Sequence, residues 1–346
     1  MECAESLTQA RLAEILERMR TVKAAMIGDM CLDVYWFADM TRSTLSRETP
    51  HFPLPVVNER MSAGAGGNVA VNMATLCDDV RVVGLIGDDW RGRCLRDVFA
   101  RQGIDDGGMI EATGRVTNTY CKPMRRGYLG FDVEDARIDF EPFEMPSEAL
   151  ERQLLDRLEA ACADADVLCV SDQFDSGCVT DRVRERINAY AAKGLLTVVD
   201  SRARIGLYRH CILKPNEIEC ARALGLVGDA LSAKNADEQA AADAARRLGK
   251  QTDSAVCLTL GERGSMICRA DGITRVAAVP VKPPVDTVGA GDCFLSAFSL
   301  ALAAGATDAE AGAIGTLASA VCVKKLNTTG SASREELLQL FESIEA

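Results

Sequence analysis

The chain has 346 residues, room for two average domains or for one large α/β core with an appendage, and 48% of them are hydrophobic and 26% charged, as in ordinary soluble globular proteins. Lys and Arg total 39 against 51 Asp and Glu, and the resulting charge of −12 lacks the basic excess of a general nucleic-acid binder or of a protein held on an anionic membrane. The fourteen cysteines are scattered without C-x-x-C spacing, and several, such as Cys169 and Cys257, sit inside apolar runs. That distribution indicates buried reduced thiols in a cytoplasmic protein instead of a disulfide framework. His51 and His210 lack the Cys or His neighbours of a zinc site. No basic-then-apolar leader opens the sequence, and its most apolar stretch, Leu295 to Ala306, is too short to span a bilayer.

In chain order, Ser6 and Gln9 form a capping-box pattern ahead of a helix with Leu12, Ile15, Leu16 and Met19 at helical spacing. A first strand, Ala24 to Ile27, runs into Gly28-Asp29. Further short apolar runs follow at Val80 to Ile86, Val167 to Val170, Leu195 to Val199, Cys211 to Leu213 and Ala255 to Leu260. Helical patterns near 66–76, 91–102, 147–163, 178–193, 216–224 and 234–248 alternate with them, and helices at about 290–304, 308–325 and 333–345 close the chain. Continuous apolar strands separated by helices predict a mostly parallel sheet covered on both faces. Two stretches, about 33–62 and 115–143, have no helical period and are expected to hold extra strands outside that sheet, together forming a small lid. Pro50, Pro53 and Pro55 leave irregular loops open as the alternative there. With no internal repeat or long linker, residues 1–346 are expected to form one domain carrying this lid.

A parallel α/β sheet binds ligands outside the carboxyl ends of its strands. Residues just past the apolar runs are Asp29 and Asp33, Gly87-Asp88-Asp89, Ser171-Asp172, Asp200-Ser201-Arg202, Lys214 to Glu219, and Gly261 to Gly264. Six polar strand ends in one chain predict a ligand-binding edge. The strongest single signal is Asp286-Thr287-Val288-Gly289-Ala290-Gly291-Asp292, a turn of small residues opening a helix. Its unpaired amides and the helix dipole make an anion site. Asp292 there either caps the helix or takes a proton from a hydroxyl attacking a bound phosphate; these seven residues leave both open. In Gly64-Ala65-Gly66-Gly67-Asn68 the glycines permit close approach of a polar ligand, or the turn simply starts a helix capped by Asn68. Neither a P-loop nor a G-x-G-x-x-G dinucleotide fingerprint is present.

These motifs, in content and order, resemble the ribokinase-like (pfkB) sugar kinases over essentially the whole chain. Residues 286–292 match the family's D-T-x-G-A-G-D signature, and Gly66-Gly67-Asn68-Val69-Ala70-Val71-Asn72 its G-G-x-x-x-N signature. Gly28 to Trp36, Pro53 to Val57 and Arg137 to Glu141 are most similar to the kinase half of bacterial heptose 7-phosphate kinases, without the nucleotidyltransferase half of the bifunctional members. The resemblance implies a three-layer αβα sandwich and an ATP-dependent kinase of a sugar or sugar phosphate that uses Mg²⁺. Kinases of nucleosides or other non-sugar alcohols, and an idle ligand-binding member of the fold, are the alternatives.

By the same resemblance, Asp292 is the base and the amides of Gly289, Ala290 and Gly291 stabilise the transferring phosphoryl group. Asp33, Gly66, Gly67, Asn68, Asn72 and Asp172 would hold the acceptor. Asp200, Lys214, Thr259, Gly261 and Gly264 would surround the nucleotide. Asn216 and Glu219 would orient magnesium-bound water, and Asp286 would ligate a monovalent cation, tying activity to potassium. Lids of relatives pair across a homodimer, so the same assembly is expected here. The chain departs from the pattern at Asp200-Ser201-Arg202, where close relatives have D-P-K, in the lid stretch 123–136, and at Asn327, where many have glycine beside the cation. Arg125 and Arg126 in that lid stretch either bind a substrate phosphate or are solvated charges.

Overall fold

A computed structural model describes residues 7–226, 238–326 and 328–345, so the expectations placed on Ser6 and Asn327 lie outside the described residues. Helix α1 (Gln9–Met19) is capped by Thr8, whose hydroxyl accepts the Arg11 amide at 3.2 Å. Strand β1 (Lys23–Gly28) enters the main sheet, and after the single residue Asp29 the chain passes into β2 (Met30–Asp39) of a second sheet. It returns through β3 (Val56–Ala65), α2 (Gly66–Ala74), β4 (Asp79–Gly87), α3 (Trp90–Arg101) and β5 (Asp105–Ala112). Strands β6 (Thr119–Arg126), β7 (Asp132–Glu134) and β8 (Ile138–Phe140) complete the second sheet. Then follow α4 (Glu148–Cys162), β9 (Val167–Asp172), α5 (Asp181–Ala192), β10 (Leu196–Ser201), β11 (Ile212–Leu213), α6 (Glu217–Ala223) and α7 (Glu238–Thr252). The remainder is β12 (Ala255–Thr259), β13 (Ser265–Cys268), β14 (Ile273–Val276), α8 (Ala290–Ala303), α9 (Asp308–Cys322) and α10 (Arg334–Glu345).

The main sheet has the order β14-β13-β12-β11-β10-β9-β1-β4-β5 and is parallel except where β13 pairs with its two neighbours. Its strands are apolar on both faces because both faces are covered. In β1, Ala24 and Met26 pack with α1, α2, α8, α9 and α10, whereas Ala25 and Ile27 pack with α4, α5 and α7. Period-two alternation thus feeds two cores and gives the three-layer arrangement. The second sheet runs β3-β2-β6-β7 with β8 also on β6. Its central pair, β2 and β6, is parallel and sets Asp33 opposite Tyr120 and Tyr35 opposite Lys122.

Three strands lie where the apolar pattern predicts none. Strand β5 begins Asp105-Asp106-Gly107-Gly108, residues with poor strand propensity, and is held by pairing to β4. Strands β13 and β14 form an antiparallel extension of the edge after Gly264, whose φ of 85° no β-branched residue would tolerate. No helix among the described residues is long and apolar enough to cross a membrane.

Candidate active site

Helix α8 starts on Gly289, which takes a left-handed φ of 81°; a Cβ there would also press to 3.0 Å on the Asn68 amide nitrogen. The Ala290 amide donates to the Thr287 carbonyl at 3.2 Å, so it is not available to an incoming phosphate. Helix geometry leaves the next two amides, Gly291 and Asp292, without intrahelical acceptors, and these with Gly289 form the donor set. Lys214 adds charge, its Nζ 3.9 Å from where a Gly291 Cβ would stand.

Two cavities flank this turn. One, of about 320 Å³, is walled by Asp33, Tyr35, Ala65, Tyr120, Lys122, Met124, Glu134, Arg137, Asp286, Val288, Gly289 and Thr329. The other, of about 550 Å³, is walled by Asp200, Lys214, Asn216, Glu217, Ile218, Glu219, Thr259, Gly261, Gly264, Ala290, Gly291, Phe294, Thr316 and Ser319. Gln173, Arg202 and Asp292 line both. The carboxylate of Asp292 accepts from Asn68 Nδ2 at 2.7 Å. Asn68 occupies the third position of α2, not its cap, because the helix already starts at Gly66 behind Ala65. Asn72, one turn on, donates to the Asn68 side-chain oxygen at 3.2 Å and so turns the Asn68 nitrogen toward Asp292. Burial pushes the Asp292 carboxyl up to about 7, with the Asp200 and Asp33 charges adding to the rise and Asn68 and Lys214 opposing it. A carboxyl of that affinity exchanges protons near neutrality.

In the smaller cavity Lys122 donates to Asp33 Oδ2 and to the Tyr35 hydroxyl, each at 2.9 Å. The other Asp33 oxygen is buried and has no partner among the described residues. An orphaned carboxylate oxygen beside an ammonium suits a hydroxyl donor, as a polyol supplies. Burial raises the Asp33 carboxyl against the pull of Lys122. Gly64 makes room for that carboxylate, since a Cβ there would overlap it. In the larger cavity Lys214 pairs with Asp200 at 2.9 Å. Burial works to lower the Lys214 amine, but Asp200 and Glu219 outweigh it and raise it.

Asn216 and Glu219 form a reciprocal capping box at the start of α6, with bonds of 2.9 and 2.8 Å. One oxygen of each is therefore spent on the helix, and burial with the nearby Asp200 charge raises Glu219. Among the described residues no cluster of three or more His, Cys, Asp or Glu side chains stands ready to hold a metal. This donor set fits Mg²⁺ bound through waters and substrate phosphates, the usual habit of that ion. Asp286 lines the smaller cavity, accepts from the Val288 amide at 3.0 Å and donates its own amide to the Val323 carbonyl.

Several expected ligands lie elsewhere. Gly66 and Gly67 are buried under the start of α2, where a Cβ would meet Met26 at 2.9 Å or Ala63 at 3.1 Å, so close packing demands them. Asn72 is 2% exposed and supports Asn68 instead of facing a cavity. Asp172 is buried at the end of β9, accepting from Ser201 at 2.7 Å, Tyr208 at 2.9 Å and the Arg204 guanidinium, and lines neither cavity. Asp29 likewise serves the fold: it accepts the amides of Gln173, Phe174 and Cys178 at 2.7–2.8 Å and fixes the loop that carries Gln173. Asp89 caps α3. Arg125 is half-exposed, pairs with Asp135 at 2.5 Å and is absent from the cavity walls. Arg125→Ala is accordingly expected to leave the acceptor KM within about twofold and stability within about 1 kcal/mol, checked by initial rates and urea titration.

Pattern reading gives no role to Tyr120, Lys122 and Gln173 and names Tyr35, Arg137 and Arg202 only within longer stretches, yet all six line the smaller cavity. The signal for two of them was the i, i+2 spacing of Tyr120 and Lys122 on β6, which places both on one face of the strand.

Paired cavities meeting at a carboxylate, at the carboxyl edge of a parallel sheet and beside a helix N-terminus, suit the transfer of a group between two substrates held side by side. The profile of the pfkB family carbohydrate kinases matches residues 24–335, and the chain belongs to that family. As a member it is a phosphotransferase with a hydroxyl acceptor. Among curated relatives, the bifunctional protein HldE of Geotalea uraniireducens is 30% identical over 326 residues, covering 93% of this chain and 64% of its own length. The chain spans a little under two thirds of the length of the curated relatives it matches. Among solved structures, phosphofructokinase-2 from Escherichia coli superposes with a TM-score of 0.72 at 18% identity, covering 94% of this chain and 100% of that one. Arabidopsis thaliana ribokinase, solved with ribose and ATP, gives 0.67 at 20% identity over 93% and 99%. The architecture is thus ribokinase-like.

Proposed function

We propose that the protein transfers the γ-phosphoryl group of ATP to a hydroxyl of a sugar or sugar phosphate, in the manner of a heptose 7-phosphate kinase. The observation that carries this reading is Asp292 at the junction of the two cavities, with a carboxyl near pKa 7 and amides of α8 beside it. The larger cavity takes the nucleotide, and the smaller takes the acceptor against Asp33, Lys122 and Tyr35. Asp292 removes the hydroxyl proton as the oxygen attacks phosphorus, and the amides of Gly289, Gly291 and Asp292 with Lys214 hold the phosphoryl oxygens. Asn216 and Glu219 would orient the waters of a Mg²⁺ ion that neutralises the phosphates, and Asp286 would ligate a monovalent cation behind the turn. The second sheet closes the acceptor cavity and keeps out water, which competes as acceptor.

The test is ADP release from MgATP across a panel of heptose 7-phosphates, ribose, fructose 6-phosphate, adenosine and pseudouridine. Turnover concentrated on sugars or phosphosugars is expected; turnover confined to nucleosides would overturn the reading, and none at all would favour an idle binding protein. We place the protein in the cytoplasm, where ATP is abundant and the described cysteines, all free, stay reduced.

The turn between β6 and β7 exposes Tyr128, Leu129 and Phe131, β7 exposes Val133 and the segment after β8 exposes Phe143, and β3 at the far edge pairs on one side only among the described residues. We assign this surface to a homodimer contact. Light scattering at low micromolar protein is expected to give twice the chain mass, and a monomer would exclude it.

A further inference from the structure

We propose that Arg202 is a catalytic residue that accompanies the phosphoryl group from nucleotide to acceptor. It is the arginine that lines both cavities, together with Gln173 and Asp292. Other cations on these walls are committed: Lys122 to Asp33 and Tyr35, Lys214 to Asp200, and Arg137 to Asp139 while stacked on Tyr120. The Arg202 guanidinium enters no ion pair among the described residues.

Its backbone, by contrast, is fixed. The Arg202 amide donates to the Asp172 carbonyl at 3.1 Å, and its carbonyl accepts from the Arg222 guanidinium at 2.9 Å. Two residues on, Arg204 is locked onto the Asp172 carboxylate. A long, exposed cation therefore extends from a fixed root just past β10 and lines both cavities. Its charge reaches both sides, acting on Tyr120 across the smaller cavity and on Glu219 across the larger.

The chemistry calls for such a group. Asp200 and Glu219 already line the larger cavity and Asp292 its junction with the smaller, and a nucleoside triphosphate adds more negative charge. In the transfer the acceptor O–H breaks and its proton goes to Asp292. The acceptor oxygen bonds to the γ-phosphorus, and the bond from that phosphorus to the bridging oxygen breaks with its electron pair left on ADP. Charge spreads over the three equatorial oxygens, and a guanidinium donates to two of them at once without gaining or losing a proton.

The test compares Arg202→Ala and Arg202→Lys with the intact chain. On the acceptor found in the panel, the alanine variant is expected to lose kcat by about 10²–10³-fold with the MgATP KM within about threefold, lysine restoring roughly tenfold. Millimolar guanidinium ion should partly rescue the alanine variant, and thermal melts should coincide with wild type. A second readout needs no acceptor: wild type should bind ADP with Mg²⁺ and aluminium fluoride at least about tenfold tighter than ADP with Mg²⁺, and Arg202→Ala should lose that gain while binding ADP unchanged. A kcat within threefold of wild type, or an undiminished fluoride gain, would overturn the assignment. If the panel yields no acceptor, the sugar-kinase reading fails on its own, and the fluoride complex still decides Arg202.

Discussion

Asp292→Asn is expected to lower kcat by about 10²–10⁴-fold while leaving nucleotide affinity unchanged, measured by coupled assay and by titration with ADP. The amide keeps the shape and the hydrogen bond from Asn68 but has no capacity to take a proton. Wild-type kcat/KM should climb as pH rises through about 7 and level off above it, because only the ionised carboxylate is a base. The variant should lose that limb. Stability gives the complementary sign. The folded value of about 7 lies above the ordinary 3.8, so the fold favours the protonated form, and the contribution present at low pH is lost as pH rises through 7. Asparagine mimics the protonated form at all pH values. Thermal melts should therefore show the variant more stable than wild type at pH 8 and the gap narrowing toward pH 5. Turnover near wild type on the preferred acceptor would remove Asp292 from the mechanism.

Asp172→Ala is expected to destabilise the chain by about 3–5 kcal/mol, read as a lower urea midpoint. The carboxylate is 1% exposed and gathers Ser201, Arg204 and Tyr208; without it the Tyr208 phenol is left buried and unpaired, and the partly buried Arg204 guanidinium keeps only the Phe174 and Asp175 carbonyls. The folded protein should keep its acceptor KM within about twofold, since Asp172 touches neither cavity. Unchanged stability with a raised KM would return Asp172 to the binding site that its strand-end position suggests.

The contrast between Asp292 and Asp172 shows what the sequence makes legible. Asp292 declares itself locally: glycine, alanine and glycine before an apolar helix leave few conformations for the turn, and the anion site follows from backbone geometry. Asp172 also ends an apolar strand, but its partner Arg204 comes from the loop after a different strand, and strand order alone does not reveal where that side chain turns. The Asp33–Lys122 pair spans 89 residues and exists only because β2 and β6 lie side by side in a particular register. The main sheet was visible because buried parallel strands are continuous apolar runs. Strand β5 was not, since its first half is aspartate and glycine and pairing with β4 supplies what propensity lacks. Asn68 illustrates a smaller displacement: Ala65, at a φ of 47°, starts the helix three residues earlier and turns an apparent cap into the residue that holds the base.

The passage from one sheet to the other through Asp29 alone has a mechanical consequence. Three amides of the 173–178 loop clamp that residue, making it a pinned pivot between a heavy frame and a light arm. Asp33 sits four residues along the arm, about 13 Å from the pivot at 3.3 Å per residue. A tilt of roughly 10° moves it by roughly 2 Å, the margin between a hydrogen bond and none. Were the second sheet to tilt about this residue, the lever would turn a small angular change into a large change in the grip on the acceptor at Asp33.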